Sequence, residues 1–382
     1  MQIKDKFFAE NPQEIAQKVI EAADEGFGIV PCGKGTNIEK YLASANKPVV
    51  MISTERMDSI QEFERDNLSV KVQAGITLAQ LQKELHEHDV FLPLTVESHG
   101  RRTIGGLIAE NEAGYEEYAY GKIQDYVLGL EFVTPYGEIV KTGGKTVKNV
   151  SGYDFTRLFA NSLGTLGIIT SITLKLRPEV EKRAAVILEV PSLKEASEIS
   201  KKIIQEKLVT VTLKGYKDHE NDKWRLIIGL AGFKETVKHH LQKIKKVLGS
   251  LNYSELDQAE VNGFWKEYYQ KFPIYEDNNI VGMGDKRVLF KIAESCEKNN
   301  LFSQVAFSEV DFGAGKLIIK TPKETKETIK ESLLAYNQEK FNFSFNFQKP
   351  QPGLIYKKIK TALDPNNLMF PNNRLTGGEY LG

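Results

Sequence analysis

Glycine carries the most suggestive chemistry in this chain. Between Thr103 and Pro178, β-branched apolar segments such as Val127–Thr134 and Ile168–Leu176 alternate with glycine-rich ones at Gly105–Gly106, Gly143–Gly144 and Gly164–Gly167. Glycine inside a strand pattern marks a bend or the close approach of another group. Glycines at so many strand ends suggest a large, flat, polar ligand lying along the main chain. Further upstream, PCGKGTN spans Pro31 to Asn37. Gly33 and Gly35 can take positive φ there, and successive N–H groups could form a phosphate nest, with Thr36 and Asn37 as extra polar donors. A plain glycine turn would read the same way. The spacing fits neither the Rossmann fingerprint nor the P-loop. Lys34 could offset a pyrophosphate charge. Cys32 is either a reactive thiol or a buried, inert one.

The pair Gly105–Gly106 opens a helix-like apolar segment, Leu107 to Ala109, whose first N–H groups would face an anion. Ala109, Asn111, Ala113 and Gly114 are small or polar, as a dinucleotide lying across them requires. A helix start packed tightly on a neighbouring strand would demand the same glycine pair. Lys145, Lys148, Tyr153 and Asp154 form either a site or a surface turn of mixed charges. His86 and His88 stand two apart on a helix and point to different faces, so no metal site is expected from them.

These motifs occur in a familiar order. PCGKGTN, TIGGLIAENEAG, YGKIQDYVLGLEFVTPYGEIV and GGKTVKNVSGYDFTRLFANSLGTLGIITSITLKLRP together resemble the FAD-binding domain of the vanillyl-alcohol oxidase/p-cresol methylhydroxylase (PCMH) superfamily. Within it the likeness is to the glycolate oxidase group. The resemblance covers roughly residues 10–180 and is echoed at Asp364–Arg374, where Asn372 and Asn373 replace the usual glycine. It implies FAD contacts at Cys32, Gly33, Lys34, Gly35, Thr36 and Asn37 in the first loop. In the second it implies Thr103, Gly105, Gly106, Ala109, Asn111 and Gly114, and along a strand edge Gly164, Gly167 and Ile168. Tyr120, Gly121 and Asp125 match a YGxxxD element, with Ala119 where arginine is common. Relatives with covalent flavin often carry histidine where Lys34 stands, so the resemblance implies non-covalent FAD.

The elements that must position these residues follow from capping and periodicity. Asn11-Pro12 opens an amphipathic helix, Gly28–Pro31 is a strand, Pro48–Ser53 and Leu68–Gln73 are strands, and Thr77 caps a helix. After Pro178 glycine thins out and lysine and glutamate rise. Strands are expected at Ala184–Val190, Val209–Leu213 and Trp224–Leu230, with a capping box at Ser192 and Glu195. A helix carries Phe233, Val237, Leu241, Ile244 and Leu248 on one face, with His239 and His240 on its solvated side. A similar order recurs from Ile280, ends on a helix begun at Thr321-Pro322, and leads to the alternating Phe341, Phe343, Phe345 and Phe347. The aromatic stripe Phe264, Trp265, Tyr268, Tyr269 and Phe272 is core or, alternatively, a partner surface. The expected fold class is α+β. A PCMH-type two-lobed FAD-binding domain spans 1–178, and an α+β cap or substrate domain with an antiparallel sheet backed by helices spans 179–350. Residues 351–382 return to the FAD domain.

Bulk composition narrows the function. With 51 basic and 51 acidic residues the net charge is zero, which disfavours nucleic acid. The two cysteines, Cys32 and Cys296, are far apart, so disulfides, zinc and iron–sulfur ligation within the chain are not expected. The start has no apolar signal segment and no run approaches a membrane span, giving a cytoplasmic expectation, with peripheral contact at the inner membrane face through partners. The resemblance implies oxidation of glycolate or a similar 2-hydroxy acid. It also implies a complex with a second FAD-binding subunit and an iron–sulfur subunit. The HxGDGNxH-type motif of self-sufficient relatives is missing, which points within the group to the E subunit. His99 is the candidate base; a structural histidine is the other reading. The rival function is a non-catalytic FAD-binding or assembly subunit whose partner performs the chemistry.

Overall fold

The structure is a computed structural model. It describes residues 3–36, 38, 47–96, 100–144, 155–218, 223–272, 279–284, 286–298, 301–321, 329, 331, 344–346 and 354–371. The chain divides into two compact units. The first comprises Met1–Gly114, Lys122–Glu179 and Gln351–Gly382; the second comprises Tyr115–Gly121 and Val180–Pro350.

The strands of the first unit are β1 (Ile3–Phe8), β2 (Gly28–Cys32), β3 (Val49–Ser53), β4 (Ile60–Glu64), β5 (Ser69–Gln73), β6 (Val90–Phe91), β7 (Val127–Val133), β8 (Ile139–Gly143), β9 (Ile168–Lys175) and β10 (Arg177–Pro178). They form a parallel sheet of order β1-β3-β2, an antiparallel sheet of order β4-β5-β9-β7-β8, and the antiparallel pair β6-β10. The helix Pro12–Asp24 bridges the two larger sheets. Its Ile15, Val19 and Ala22 pack into one core with Ile29, Val50 and Ile52 of the parallel sheet and Val133 and Ile168 of the antiparallel one. Asn11 caps it, its Oδ1 accepting the Glu14 N–H at 2.9 Å, and Pro12 needs no acceptor in the first turn. Asn11→Ala is expected to lower stability by about 1 kcal/mol in urea unfolding, with the slope unchanged. Thr77 caps Leu78–His86 in a full capping box with Gln80.

The C-terminal segment closes this unit. The helix Leu354–Leu363 leads to Leu368–Phe370, which joins the parallel sheet beside β2. The Ile29 N–H donates to the Leu368 carbonyl at 2.7 Å, and the Phe370 N–H donates to the Ile29 carbonyl at 2.6 Å.

The second unit is built on one antiparallel sheet. Its strands are β11 (Lys182–Val190), β12 (Thr210–Asp218), β13 (Trp224–Gly232), β14 (Tyr253–Leu256), β15 (Asn279–Met283), β16 (Phe307–Asp311), β17 (Lys316–Lys320) and β18 (Ser344–Asn346), in the order β14-β11-β13-β12-β16-β17-β15-β18. Period-two alternation divides its faces. Val186, Leu188, Leu213, Leu226, Ile228 and Val310 share a core with Ile199, Ile203, Val237, Ile244 and Leu289 of three helices. Ala185, Ile187, Tyr216, Ile227 and Phe307 face the helix Gln258–Lys271 instead. There Trp265 stacks on Tyr115 with ring centroids 4.2 Å apart, and Phe272 stacks on Phe307 at 4.2 Å. The aromatic stripe is therefore core rather than an exposed partner surface.

Three details differ from the sequence expectations. Phe233 is the N-cap of Lys234–Leu248 and is 72% exposed, because the chain enters the helix one residue too early for it to join the apolar face. His240 is half-buried, its Nδ1 accepting the Val209 N–H at 3.0 Å, rather than fully solvated. Ser192 accepts the Glu195 N–H at 3.1 Å but without the reciprocal half of a capping box, and Glu297 accepts the next N–H, that of Leu193, at 2.6 Å. The helix begun at Thr321-Pro322 and most of the alternating phenylalanines lie outside the described residues.

Candidate cofactor-binding site

A cleft in the first unit is lined by three loops and encloses about 760 Å3, its open mouth included. The first loop supplies Pro31, Cys32, Gly33, Lys34, Gly35, Thr36 and Ile38. It leaves the end of β2 and is anchored from β3, the Ser53 hydroxyl donating to the Gly33 carbonyl at 3.1 Å and the Thr54 N–H to the Cys32 carbonyl at 2.9 Å. Gly35 has φ +72°, a conformation side chains resist, and a Cβ there would meet only Ile38 at 3.6 Å. The N–H groups of Lys34, Gly35 and Thr36 donate to no described residue. Donors of this kind on one rim of a cleft are suited to an anion.

The second loop supplies Arg102, Thr103, Gly105, Gly106, Ala109 and Glu110. Thr103 caps the short helix Ile104–Ala109. The expectation that this helix start presents N–H groups to an anion does not hold. Ile104 donates to the Ile76 carbonyl and Gly105 to the Ala74 carbonyl, both at 2.9 Å, and Gly106 donates to Thr103 Oγ1 at 3.3 Å. The two adjacent glycines have different tasks. A Cβ on Gly105 would sit 2.9 Å from the Ala74 Cβ, so this glycine lets the helix lie on the end of β5. A Cβ on Gly106 would meet only Thr103 Oγ1, at 3.2 Å, on the cleft side.

The third wall is Leu163, Gly164, Gly167, Ile168 and Ile169, with Phe370 from the C-terminal segment. The Leu163 N–H donates to the Ala109 carbonyl at 2.9 Å, fastening this wall to the second. Leu163 and Phe370 both have positive φ, 55° and 47°, a rare state for bulky residues.

Of the residues expected to hold a cofactor, the cleft gathers Cys32, Gly33, Lys34, Gly35, Thr36, Thr103, Gly105, Gly106, Ala109, Gly164, Gly167 and Ile168. Two stand elsewhere. Asn111 follows the helix at φ 50°, its Nδ2 donating to Gln124 Oε1 at 3.0 Å. Gly114 is a packing glycine, where a Cβ would strike the Thr95 carbonyl oxygen at 2.3 Å. Asn37, His99, Lys145, Lys148, Tyr153, Asp154 and Arg374 lie outside the described residues. Sequence reasoning missed Arg102, Glu110, Leu163 and Phe370. The buried Arg102 and the half-buried Glu110 form an ion pair, Nη2 to Oε2 at 2.5 Å, and an Arg and a Glu eight residues apart give no local sign of pairing.

Burial pushes the Cys32 thiol above its ordinary pKa, against smaller opposing effects from Ser53 and Lys6. It is an inert thiol rather than a thiolate nucleophile. Among the described residues no group of His, Cys, Asp and Glu is arranged to hold a metal, and no helix is long and apolar enough to cross a membrane.

Comparison with known proteins bears on the cofactor. Residues 6–143 match the family described as "FAD binding domain". This is an FAD-binding domain. The residues present fit the cofactor: a groove lined by glycines, with the Lys34, Gly35 and Thr36 N–H groups on one wall donating to no described residue. The chain is 35% identical over 203 residues to glycolate oxidase subunit GlcD of Bacillus subtilis, covering 53% of this chain and 43% of that one. It is 33% identical over 189 residues to a mitochondrial D-lactate dehydrogenase (cytochrome) of Arabidopsis thaliana, covering 49% and 33%. A D-2-hydroxyglutarate dehydrogenase of Xanthomonas citri is 33% identical over 180 residues, covering 47% and 38%. The chain thus matches less than half the length of these curated relatives. Two crystal forms of alkyldihydroxyacetonephosphate synthase share the fold over 96% of this chain and 76% of theirs, with TM-scores of 0.68 and 0.70 at 18% and 19% identity. The fold is therefore α+β and PCMH-like.

Proposed function

We propose that this chain is an FAD-dependent oxidoreductase subunit, of the glycolate oxidase E type, that oxidises glycolate or a similar small 2-hydroxy acid. The observation that carries the reading is that three relatives of the FAD-binding domain are named for glycolate, D-lactate and D-2-hydroxyglutarate, all 2-hydroxy acids. Bound FAD supplies the two-electron acceptor. The chain's own residues bind and shield it. The N–H groups of Lys34, Gly35 and Thr36 hold the diphosphate, and Lys34 offsets its charge. Leu163, Ile168, Ile169 and Phe370 exclude water from the groove. Attachment is non-covalent, since the first loop has no histidine and the Cys32 thiol is held protonated by burial.

Residues 1–178 form the FAD domain in this reading, 179–350 the cap or substrate domain, and 351–382 the return segment. His99 is the base that takes the substrate hydroxyl proton. Its replacement, His99→Gln, leaves FAD stoichiometry intact and slows flavin reduction by about 100-fold or more. Electrons leave through an iron–sulfur subunit, alongside a second FAD-binding subunit, because the chain's two separated cysteines cannot hold a cluster. The complex is cytoplasmic, docked at the inner membrane face through these partners.

The test is anaerobic addition of glycolate, D-lactate or D-2-hydroxyglutarate to the flavin-loaded chain. Bleaching of the flavin by one of them supports the reading. A second reading, an FAD-binding assembly subunit, is favoured by the absent HxGDGNxH-type motif. It predicts no bleaching by any of the three unless the second FAD-binding subunit is added.

A further inference from the structure

The geometry points to Lys360 as a positioning residue of the FAD groove, holding Leu163 and Phe370 in the left-handed backbone states that shape its third wall. The inference rests on the groove being the FAD site. Lys360 lies on the helix Leu354–Leu363, outside the cleft lining, and is 2% exposed. An ammonium this deeply buried needs all its protons satisfied. Its Nζ donates to the Thr165 carbonyl at 2.7 Å, to the Met369 carbonyl at 2.7 Å and to Asp364 Oδ2. Thr165 follows Leu163 and Gly164, and Met369 precedes Phe370. One cation therefore ties together the two segments that line the groove's third wall.

The same helix and Asp364 reinforce both tethers. The Tyr356 hydroxyl donates to the Ser162 carbonyl at 2.9 Å and also pairs with Thr165 Oγ1. Asp364 accepts the Leu368 N–H at 2.9 Å and the Met369 N–H at 2.8 Å. A bulky residue at positive φ persists only where its surroundings over-determine it. The Leu163 and Phe370 N–H groups are held by the Ala109 and Ile29 carbonyls, and the residues beside them by the lysine, its carboxylate and the tyrosine. Without them Leu163 and Phe370 relax toward negative φ, and the wall that FAD lies against is lost.

The test is a double-mutant cycle on the full chain, read by FAD reconstitution and by hydrogen exchange of the flavin-free protein. Lys360→Met is expected to weaken FAD binding about tenfold, because the bound cofactor must restore the strained wall. It should also speed exchange of the Leu163 N–H, while the β11 and β13 amides of the second unit exchange as before. In a Leu163→Gly background, where positive φ carries no penalty, Lys360→Met should weaken binding less than threefold. Equal losses in both backgrounds, or unchanged exchange at Leu163, would overturn the inference. Where Lys360→Met does not fold, Tyr356→Phe removes one tether to the same wall and must shift exchange at Leu163 in the same direction, or the inference fails. If the parent chain binds no FAD, the cofactor reading fails, and the exchange comparison still decides the role of Lys360.

Discussion

Gly106→Leu is expected to give a folded protein whose affinity for FAD falls about ten- to 100-fold, and Gly105→Leu a protein whose first unit is badly destabilised. The two glycines are neighbours in sequence and in one short helix, yet they face different things. At Gly106 a new Cβ meets only the Thr103 hydroxyl at 3.2 Å, and the rest of a leucine side chain extends into the cleft. Replacing a helical glycine also removes a propensity penalty of roughly 0.8–1 kcal/mol, so the apo protein should lose no stability. The cofactor meets that side chain, and overpacking of 1–3 kcal/mol lowers its affinity by about ten- to 100-fold. At Gly105 the Cβ would press on Ala74, whose carbonyl accepts the Gly105 N–H at 2.9 Å. The helix must then lift off the end of β5. FAD affinity and the urea midpoint separate the outcomes. An unchanged FAD affinity in Gly106→Leu would mean that the cofactor does not pass along this helix.

Lys214→Met is the substitution expected to destabilise the second unit most, by about 3–5 kcal/mol, because it leaves buried carboxylates without their cation. Lys214 is 5% exposed, with Nζ 3.0 Å from Glu309 and 3.2 Å from Asp311, themselves 0% and 1% exposed. The Tyr268 hydroxyl donates to the other Glu309 oxygen. The two acids are not equivalent. Burial would push Glu309 up, but the Lys214 charge and the Tyr268 bond prevail and leave it below the ordinary range. Burial raises Asp311 above its ordinary value, and the nearby Glu309 charge adds to this against the pull of Lys214.

The signs therefore oppose. The Glu309 contribution is present above the unfolded carboxylate pKa and is lost as pH falls through its depressed folded value. For Asp311, whose folded pKa is raised, stability is greatest below the unfolded value and is lost as pH rises through the folded one. Asp311→Asn, which retains an acceptor for the Ala314 N–H, should cost less than about 1 kcal/mol. Relative to the parent it should gain stability as pH rises from the acid range. Both tryptophans, Trp224 and Trp265, lie in this unit, so their fluorescence reports its unfolding. Equal costs for Lys214→Met and Asp311→Asn would show that the pairing contributes nothing.

What the sequence revealed and what it hid have physical reasons. Caps were legible because Asn11, Thr77 and Ser192 act on N–H groups two to three residues away. Most strands of the second unit's sheet were legible because both faces are covered, which gives near-continuous apolar runs such as Trp224–Gly232; Tyr253–Leu256, at its edge and largely exposed, was not foreseen. β1 and β4 were not foreseen: Ile3–Phe8 is mostly exposed and carries three charges, so only its parallel pairing with β3 makes it a strand. The glycines of the site were legible as a set, but their tasks were not. Gly105 and Gly114 are there for a neighbour's backbone, and that neighbour comes from a distant part of the chain. The same applies to Arg102 with Glu110 and to Tyr115–Gly121, which sits within the glycine-rich stretch yet belongs to the second unit.

In the proposed reading the groove between the loops at Gly35, Gly106 and Gly164 holds FAD without a covalent bond. The most direct measurement is the visible spectrum of the purified full chain before and after acid precipitation. A flavin spectrum that moves wholly to the supernatant, and is identified there as FAD at about one per chain, is the expected result. Flavin that stays with the precipitate would contradict non-covalent attachment. No flavin in the protein, and none taken up on incubation with FAD, would contradict the site itself.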